Sequence, residues 1–315
     1  MINYQDSIKS NLKVYYSDQF SLFLPNQHRF PMEKYRNLRL KLLEQNIISA
    51  EELFPAPLAS REQILLVHSE QYYDSIENGS IEAKAMKEIG FPWSERIILR
   101  SRASVGGFIA ACSEALNHGV SGNLSGGTHH AHRDKGEGFC VFNDFAIAST
   151  WLIHQRKIKS ALILDLDVHQ GNGNSSILNQ SKDIFICSMH GKNNYPFRKI
   201  SGHLDVDLPD HCNDEIYHHS LDETLNQVAK MKFDLILYQA GVDPLKNDRF
   251  GKLDLSLEGL RLRDRKVFNF AYQSRTPIAI ALGGGYSDPI EDTITAHCNT
   301  YREAKLLHKK LMNLL

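Results

Sequence analysis

The stretch Ser160–Gly173, SALILDLDVHQGNG, decides the fold class of this chain. Its first half is a short run of Ala, Leu and Ile, which is the pattern of a strand buried on both faces of a parallel sheet. Its second half changes to acidic, imidazole, amide and glycine residues. Such a change at the carboxyl end of a strand is typical of a ligand-binding loop in an open α/β sheet.

Two further apolar runs share this arrangement. Phe233–Gln239 (FDLILYQ) leads into AGVDP, and Pro277–Leu282 (PIAIAL) leads into a glycine run followed by Tyr286. Because the carboxyl ends of parallel strands lie at one edge of a sheet, these stretches deliver polar side chains to the same edge. The sequence therefore predicts one site built from several strand ends.

Helical patterns lie between and beside these strands. Glu215–Lys230 and Leu257–Ser274 have helical periodicity, and Ser94–His118 carries an apolar stripe, with Ser94 as a capping residue and Gly119 as a terminating glycine. Alternating strand and helix predicts a mainly parallel sheet with helices on both faces. Neither a repeat nor a Pro/Gly/Ser linker divides the chain, so we expect a single domain over residues 1–315.

Composition narrows the class of protein. The 315 residues are 42% hydrophobic and 23% charged, and the formal net charge of −1 gives no overall attraction to nucleic acid or anionic membrane. Five cysteines without a CxxC pair argue against a disulfide framework and for a reducing compartment. No signal-peptide pattern is present, and no apolar run reaches the roughly 18 residues of a membrane span. We therefore expect a cytoplasmic protein that does not bind nucleic acid directly.

Asp167, His169 and Asp243 form a candidate metal set. Residues two apart at a strand end point the same way, so the carboxylate of Asp167 and the imidazole of His169 can bind one cation. Asp243, in AGVDP, comes from a second strand end. Three protein ligands are typical of catalytic zinc, and Fe²⁺ or Co²⁺ also suits this donor set. The alternatives are a helix-capping Asp beside a surface His, and an ordinary turn Asp before Pro.

A Gly-rich segment, SGGTHHAHRDKGEGFCVFND (residues 125–144), carries the tandem histidines His129 and His130. In an irregular loop both imidazoles can face one cleft, and the glycines allow a ligand to approach the backbone. Tyr286 adds a phenol at another strand end. With a metal, these groups supply the base, acid and oxyanion donor of amide hydrolysis. The alternatives are a polar surface loop and a core tyrosine after a tight turn.

Four blocks resemble, in the same order, the signature blocks of the histone deacetylase superfamily: SGGTHHAHRDKGEGFCVFND, LILDLDVHQGNG, QAGVDPLKNDRFG and LGGGY. The segments His28–Tyr35 (HRFPMEKY) and Ile89–Ile97 (IGFPWSERI) are also similar to the family, so the resemblance covers most of the chain. It implies the arginase/deacetylase fold, an eight-stranded mainly parallel sheet flanked by helices. The family includes bacterial acetylpolyamine amidohydrolases and acetoin-utilisation proteins.

The resemblance implies a zinc site and catalytic roles for its neighbours. The tandem histidines, His129 and His130, are the implied catalytic pair, and Asp165 orients the first of them. Tyr286 is the implied oxyanion donor. The implied zinc ligands are Asp167, His169 and Asp243.

The same resemblance implies a substrate slot and a second cation. Phe139 and Tyr195 line the slot for the acyl-lysine stem, and the carbonyl of Gly138 accepts a hydrogen bond from the amine. A structural monovalent cation, potassium, is implied beside Asp165. Its other ligands would be Ser188 and the backbone oxygens of Asp167, His169 and Met189.

Asn172 is a departure from many family members, since the class I deacetylases have Asp at this position. Asp165 can make its histidine a stable imidazolium through a charge-assisted bond, whereas Asn172 offers only a neutral dipole. We therefore predict that Asn172 orients His130 as the neutral base and that His129 is the electrostatic partner. DLDVHQGNG is closest to the class IV branch, which includes enzymes that remove long-chain fatty acyl groups. The resemblance therefore leaves open a substrate whose acyl group is longer than acetyl.

Three functions remain open at this stage. The leading one is a zinc-dependent hydrolase that removes acetyl or longer acyl groups from protein lysines. The second is an acetylpolyamine or other small-molecule amide hydrolase, which acidic residues around the mouth of the site would favour. The third is a non-catalytic acyl-lysine binding module, against which Tyr286 argues because a binder needs no oxyanion donor.

Several other polar residues are predicted to have no part in this chemistry. The sequence favours solvated positions for His218 and His219, and for the helical arginines that include Arg263. Cys140 is predicted to be a buried, unreactive thiol.

Overall fold

A computed structural model describes residues 12–25 and 27–313 as one α/β architecture built on an eight-stranded sheet. All the strand pairings are parallel, and the order across the sheet is β2-β1-β3-β8-β7-β4-β5-β6. The prediction of a mainly parallel sheet is confirmed. The strands are β1 (Val14–Tyr16), β2 (Leu53–Pro55), β3 (Val120–Asn123), β4 (Ala161–Asp165), β5 (Ile184–Gly191), β6 (Leu204–Leu208), β7 (Leu235–Gln239) and β8 (Ile278–Ala281).

Helices connect and flank the strands. The long helix α5 packs on β3 and β8, and α8 packs against both β6 and α9. Among the described residues, no helix is long and apolar enough to cross a bilayer. The helices are α1 (Lys34–Glu44), α2 (Arg61–Leu65), α3 (Glu70–Glu77), α4 (Ala83–Ile89), α5 (Glu95–His118), α6 (Asp144–His154), α7 (Asn172–Leu178), α8 (Asp214–Val228), α9 (Leu257–Ser274) and α10 (Ile290–Met312).

The three strands predicted from apolar runs lie side by side at the centre of the sheet. Every residue of β4, β7 and β8 is buried, as expected for strands covered on both faces. Each is shorter than its apolar run: β4 and β8 leave out residues at both ends of the run, whereas β7 leaves out only the first two. The edge strand β6 instead alternates in burial.

The predicted helices are present, with small corrections at their ends. Helix α5 begins after Ser94, but the Ser94 side chain makes no capping hydrogen bond. Gly119 ends the helix with φ +81°, a conformation that glycine adopts without steric cost. Helix α9 has the predicted bounds, and α8 ends two residues earlier than predicted.

Two residues predicted to be solvated are buried instead. The side chain of Arg263 is fully buried, and His218 is only 9% exposed, whereas the neighbouring His219 is exposed as predicted. The cause is that α9 packs against both α8 and α10, so its polar face is enclosed. Arg263 satisfies its charge by an ion pair with Asp264 at 2.8 Å.

Candidate active site

The ends of β4 and β7 bring Asp167, His169 and Asp243 together. The Nδ1 atom of His169 lies 3.0 Å from an oxygen of Asp167 and 3.1 Å from an oxygen of Asp243. One potential ligand atom from each residue lies within 4.8 Å of the others, and both carboxylates are buried. Buried carboxylates this close together need a compensating positive charge. Two oxygen donors and one imidazole nitrogen therefore fit a divalent metal ion.

Backbone hydrogen bonds fix the two carboxylates. The N–H of Gly284, beyond β8, donates to Asp167 at 2.7 Å, and the N–H of Val168 donates to Asp243 at 2.9 Å. A side chain at position 284 would overlap the Asp243 carboxylate, so glycine is required there. Three strand ends thus converge on one set of donors, as the sequence predicted.

Arg263 holds together the two segments that carry Asp167 and Asp243, a role that the sequence did not indicate. Its guanidinium donates to the carbonyl of Leu166 at 3.4 Å and to the carbonyl of Gly241. These carbonyls belong to the segments that carry Asp167 and Asp243, so one buried cation ties the two segments together. A regular helical pattern of arginines indicated a solvated face and gave no signal of this contact.

The tandem histidines have different partners. His129 donates from Nδ1 to Asp165 at 2.7 Å, whereas Nδ1 of His130 lies 2.6 Å from the amide oxygen of Asn172. The ring centres are 4.1 Å apart. Burial alone would lower the pKa of His129, but the charges of Asp165 and Asp167 raise it to about 8. Burial and the charge of His129 hold the pKa of His130 well below its ordinary value.

Glu137 is a second partner of Asn172, which the sequence did not indicate. The Asn172 amide nitrogen donates to Glu137 Oε1 at 2.7 Å, and Lys135 donates to Oε2 at 2.7 Å. Burial would raise the pKa of Glu137, but hydrogen bonds from His132, Lys135, Asn172 and Tyr195 lower it. The only sequence signal was an acidic residue between two glycines, which does not indicate a partner 35 residues away.

Tyr286 lies beside the metal set and is buried. Its ring meets Phe250 edge-on at 5.0 Å, and its N–H donates to Asp248 at 2.6 Å. Burial and the nearby carboxylates hold the pKa of Tyr286 well above its ordinary value, so the phenol keeps its proton. The buried Lys34 ammonium lies 4.7 Å from the ring centre and donates to the carbonyl of Gly285 at 3.2 Å. The segment containing Lys34 resembles the family, but the resemblance does not predict this contact.

One cavity of about 400 Å³ joins the metal set, both histidines and Tyr286. Gly138, Phe139 and Tyr195 also line it, as the family resemblance implied. The Phe139 ring packs 5.0 Å from Phe30, and the Tyr195 ring meets His130 edge-on at 5.0 Å. Aromatic rings therefore form part of the cavity wall.

Cys140 lies on the wall of this cavity. Its thiol donates to the carbonyl of Gly138 at 3.4 Å. Burial raises the pKa of Cys140, so the thiol stays protonated and is a weak nucleophile. The burial predicted for this residue is confirmed.

The residues of the implied monovalent-cation site lie on the adjacent strands β4 and β5 and in the loop after β4. Asp165 and Ser188 are aligned in neighbouring strands, and Met189 follows in β5. One oxygen of Asp165 accepts from His129 and the other accepts from the N–H of Asp167. The hydroxyl of Ser188 lies 2.9 Å from Nδ1 of His190.

Comparisons with known proteins agree with this fold. The model of the histone deacetylase domain matches residues 28–301. An uncharacterized protein of Picosynechococcus sp. is 38% identical over 296 residues, which are 93% of this chain and 98% of that protein. Histone deacetylase 2 of Arabidopsis thaliana is 30% identical over 299 residues, which are 90% of this chain and 76% of that protein.

Solved structures share the architecture. An HDAC homolog from Aquifex aeolicus has a TM-score of 0.80 at 21% identity, over 96% of this chain and 89% of that one. An acetylpolyamine aminohydrolase from Burkholderia pseudomallei has a TM-score of 0.79 at 18% identity, over 94% of this chain and 99% of that one. The eight-stranded parallel sheet flanked by helices defines an α/β fold of the arginase/deacetylase type. The chain belongs to the histone deacetylase family.

Proposed function

We propose that this chain is a zinc-dependent deacylase that removes acetyl or longer acyl groups from lysine side chains of proteins. The observation that carries the proposal is the meeting, in one cavity, of a buried Asp–His–Asp set, two differently paired histidines and a protonated phenol. Residues 1–315 would form a single catalytic domain, and we place it in the cytoplasm.

The metal would be held by Asp167, His169 and Asp243. Zinc suits three protein ligands with an open position, although Fe²⁺ and Co²⁺ accept the same donors. When bound, zinc polarises an amide carbonyl and lowers the pKa of a water molecule. The side chains around this set would transfer the protons and stabilise the developing charge.

His130 would be the base that takes a proton from the attacking water and returns one to the leaving amine. Its low pKa keeps it neutral, and its Nδ1 is already occupied by Asn172. His129, paired with Asp165, would remain charged and stabilise the developing negative charge. The O–H of Tyr286 would donate a hydrogen bond to the oxyanion.

The substrate would enter between Phe139 and Tyr195, whose rings would flank its aliphatic stem. The carbonyl of Gly138, on the same wall, would accept a hydrogen bond from the amine. We further propose that potassium binds near Asp165. Its ligands would be Asp165, Ser188 and the backbone oxygens of Asp167, His169 and Met189.

Charge around the cavity favours a protein substrate over a polyamine. Of the exposed charged residues that line it, Arg29 and Lys252 are basic and Glu88 is acidic. A polyamine is a cation along its length and would meet net repulsion at this mouth. An acyl-lysine stem is uncharged, so the same mouth does not oppose it. The acetylpolyamine hydrolase remains the second candidate, because the site chemistry is the same.

The substrate preference has a direct test. Lysine peptides and polyamines carrying acetyl through myristoyl groups should be compared by release of free amine. We expect hydrolysis of the peptides, and the double variant Arg29→Glu/Lys252→Glu should shift the ratio of kcat/KM values toward acetylpolyamine. The matched control is Lys230→Glu/Lys309→Glu, which reverses two exposed charges outside the cavity. Faster hydrolysis of polyamine than of every peptide by the unaltered protein would contradict the proposal.

The pH dependence of kcat/KM follows from the state of His130. A base must be unprotonated to act, and a lowered pKa keeps it unprotonated to lower pH. The acid limb of the profile should therefore lie below the ordinary imidazole value of about 6.5. The groups that face His130 and enter this titration are His129, His169, Asp167, Tyr195 and, through Asn172, Glu137.

Variants at positions 172 and 137 would move this limb. Asn172→Asp alone brings a carboxylate against Glu137, so the change should be made together with Glu137→Gln. An added carboxylate beside His130 raises its pKa, and the acid limb should then move toward alkaline pH. The shift belongs to the coupled histidine pair and not to one residue. An unmoved limb, in a folded double variant with normal metal content, would rule out the assignment of His130 as the base oriented by position 172.

A further inference from the structure

Glu137 is a buried carboxylate that lies outside the cavity lining but contacts two residues of the proposed site, Asn172 and Tyr195. It is 9% exposed and sits between the two glycines Gly136 and Gly138. Its Oε1 accepts from Asn172 and its Oε2 accepts from Lys135, both at 2.7 Å. Its low pKa keeps it ionised. An ionised carboxylate can only accept hydrogen bonds.

This restriction fixes the orientation of the Asn172 side chain. A carboxamide has an NH2 group that donates hydrogen bonds and an oxygen that accepts them. Only its partners decide which way each of the two points. The ionised Glu137 accepts from the amide nitrogen of Asn172 at 2.7 Å, so the NH2 group of the carboxamide must face Glu137. The amide oxygen is thereby turned toward His130, at 2.6 Å from Nδ1.

The orientation of Asn172 in turn selects a tautomer of His130. An amide oxygen only accepts, so Nδ1 of His130 must carry the hydrogen. In a neutral imidazole the other nitrogen then has the free lone pair. Nε2 is therefore the atom that can take a proton. The reversed amide would place an N–H against Nδ1 and put the hydrogen on Nε2, which blocks that atom as a base.

We propose that Glu137 is a positioning residue that selects the Nδ1–H tautomer of His130 by fixing the amide of Asn172. This inference rests on the proposed function, in which His130 is the base. It also explains how a neutral amide can stand where class I deacetylases have Asp. The carboxylate acts here from one residue further out, so it orients the histidine without making a charged contact with it.

Exchanging the amide and the carboxylate between positions 172 and 137 tests which of the two side chains must donate their hydrogen bond. Asn172→Asp sets two carboxylates against each other and should lower kcat about 10–100-fold, the usual cost of losing an outer partner. Glu137→Gln keeps an acceptor oxygen but also offers a donor, so the loss should be smaller. The double variant Asn172→Asp/Glu137→Gln restores one donor facing one acceptor. Its kcat should exceed that of Asn172→Asp by about 10-fold or more, with KM changing less than kcat in every variant.

A spectroscopic readout does not depend on turnover. Long-range ¹H–¹⁵N correlation spectra of the metal-loaded protein distinguish the two neutral tautomers of a histidine ring. The His130 ring, assigned by its loss in His130→Gln, should carry hydrogen at Nδ1 in the unaltered protein and in the double variant. Glu137→Gln should give a mixture of tautomers. If no acyl substrate is hydrolysed, the proposed function fails, and these spectra still decide the role of Glu137.

Glu303→Gln is the matched control, because Glu303 is also a buried carboxylate, paired with Arg261 at 2.8 Å and Arg265 at 3.1 Å. It should lower the midpoint of thermal unfolding without altering kcat or the His130 tautomer. An Nε2–H tautomer in the unaltered protein would overturn the proposal. So would a double variant whose thermal stability recovers while its kcat stays at the level of Asn172→Asp, since that pattern describes a purely structural contact.

Discussion

Replacing Tyr286 with Phe is expected to lower kcat about 10²–10³-fold, the usual cost of losing one oxyanion donor. KM should change little, because the phenol is proposed to stabilise charge that exists only in the transition state. Phe keeps the ring that packs against Phe250 and Phe30, so the fold should be retained. The measurement is steady-state kinetics with an acyl-lysine peptide on protein of equal metal content.

The control for this variant is Tyr73→Phe. Tyr73 is also a buried tyrosine, and its hydroxyl donates to Glu77 at 2.8 Å, outside the cavity. Its removal should reduce stability and leave kcat near that of the unaltered protein. Retention of most of the activity by Tyr286→Phe would show that another group stabilises the oxyanion. Lys34, whose ammonium lies against the Tyr286 ring, would then be the next candidate.

Asp243→Ala is expected to reduce bound zinc far below one ion per chain and to abolish turnover. Asp243 supplies one of only three donors in the set, and its loss also leaves the N–H of Val168 without its acceptor. Metal content should be measured by elemental analysis after equilibration with zinc and removal of free ion. Circular dichroism should establish that the variant is folded.

Asp234→Ala provides a control on the same strand. Asp234 precedes β7, where its carboxylate accepts from the backbone N–H groups of Lys159 and Ser160, whereas Asp243 follows the strand. Loss of Asp234 should reduce stability but leave the metal content at one ion per chain. Full zinc content in Asp243→Ala would rule out the proposed ligand set.

The strand ends could be predicted because their signals are local. A short apolar run followed by acidic, histidine and glycine residues marks a buried strand and its loop within about fourteen residues, as in Ser160–Gly173. Parallel strands place such loops at one edge, so the meeting of Asp167 with Asp243 follows from fold class alone. The pairing of His130 with Asn172 required the family resemblance, since the two residues are 42 positions apart.

The supporting contacts could not be predicted, because they depend on packing between distant segments. Lys34 reaches the carbonyl of Gly285 across 251 positions, and nothing in its local sequence indicates burial. Arg263 follows a helical spacing typical of a solvated face, yet enclosure of α9 by α8 and α10 turns it inward. Strands β1 and β2 have three residues each, which is too short for a periodic signal.

The central claim is that the metal-loaded Asp–His–Asp set hydrolyses acyl-lysine. The most direct measurement is release of free lysine amine from an acyl-lysine peptide, by metal-free protein and again after one equivalent of zinc is added, beside Asp243→Ala treated identically. We predict turnover only in the unaltered protein after zinc is added. Equal release by the metal-free protein, or none from any acetyl through myristoyl peptide by fully loaded protein, would contradict the account.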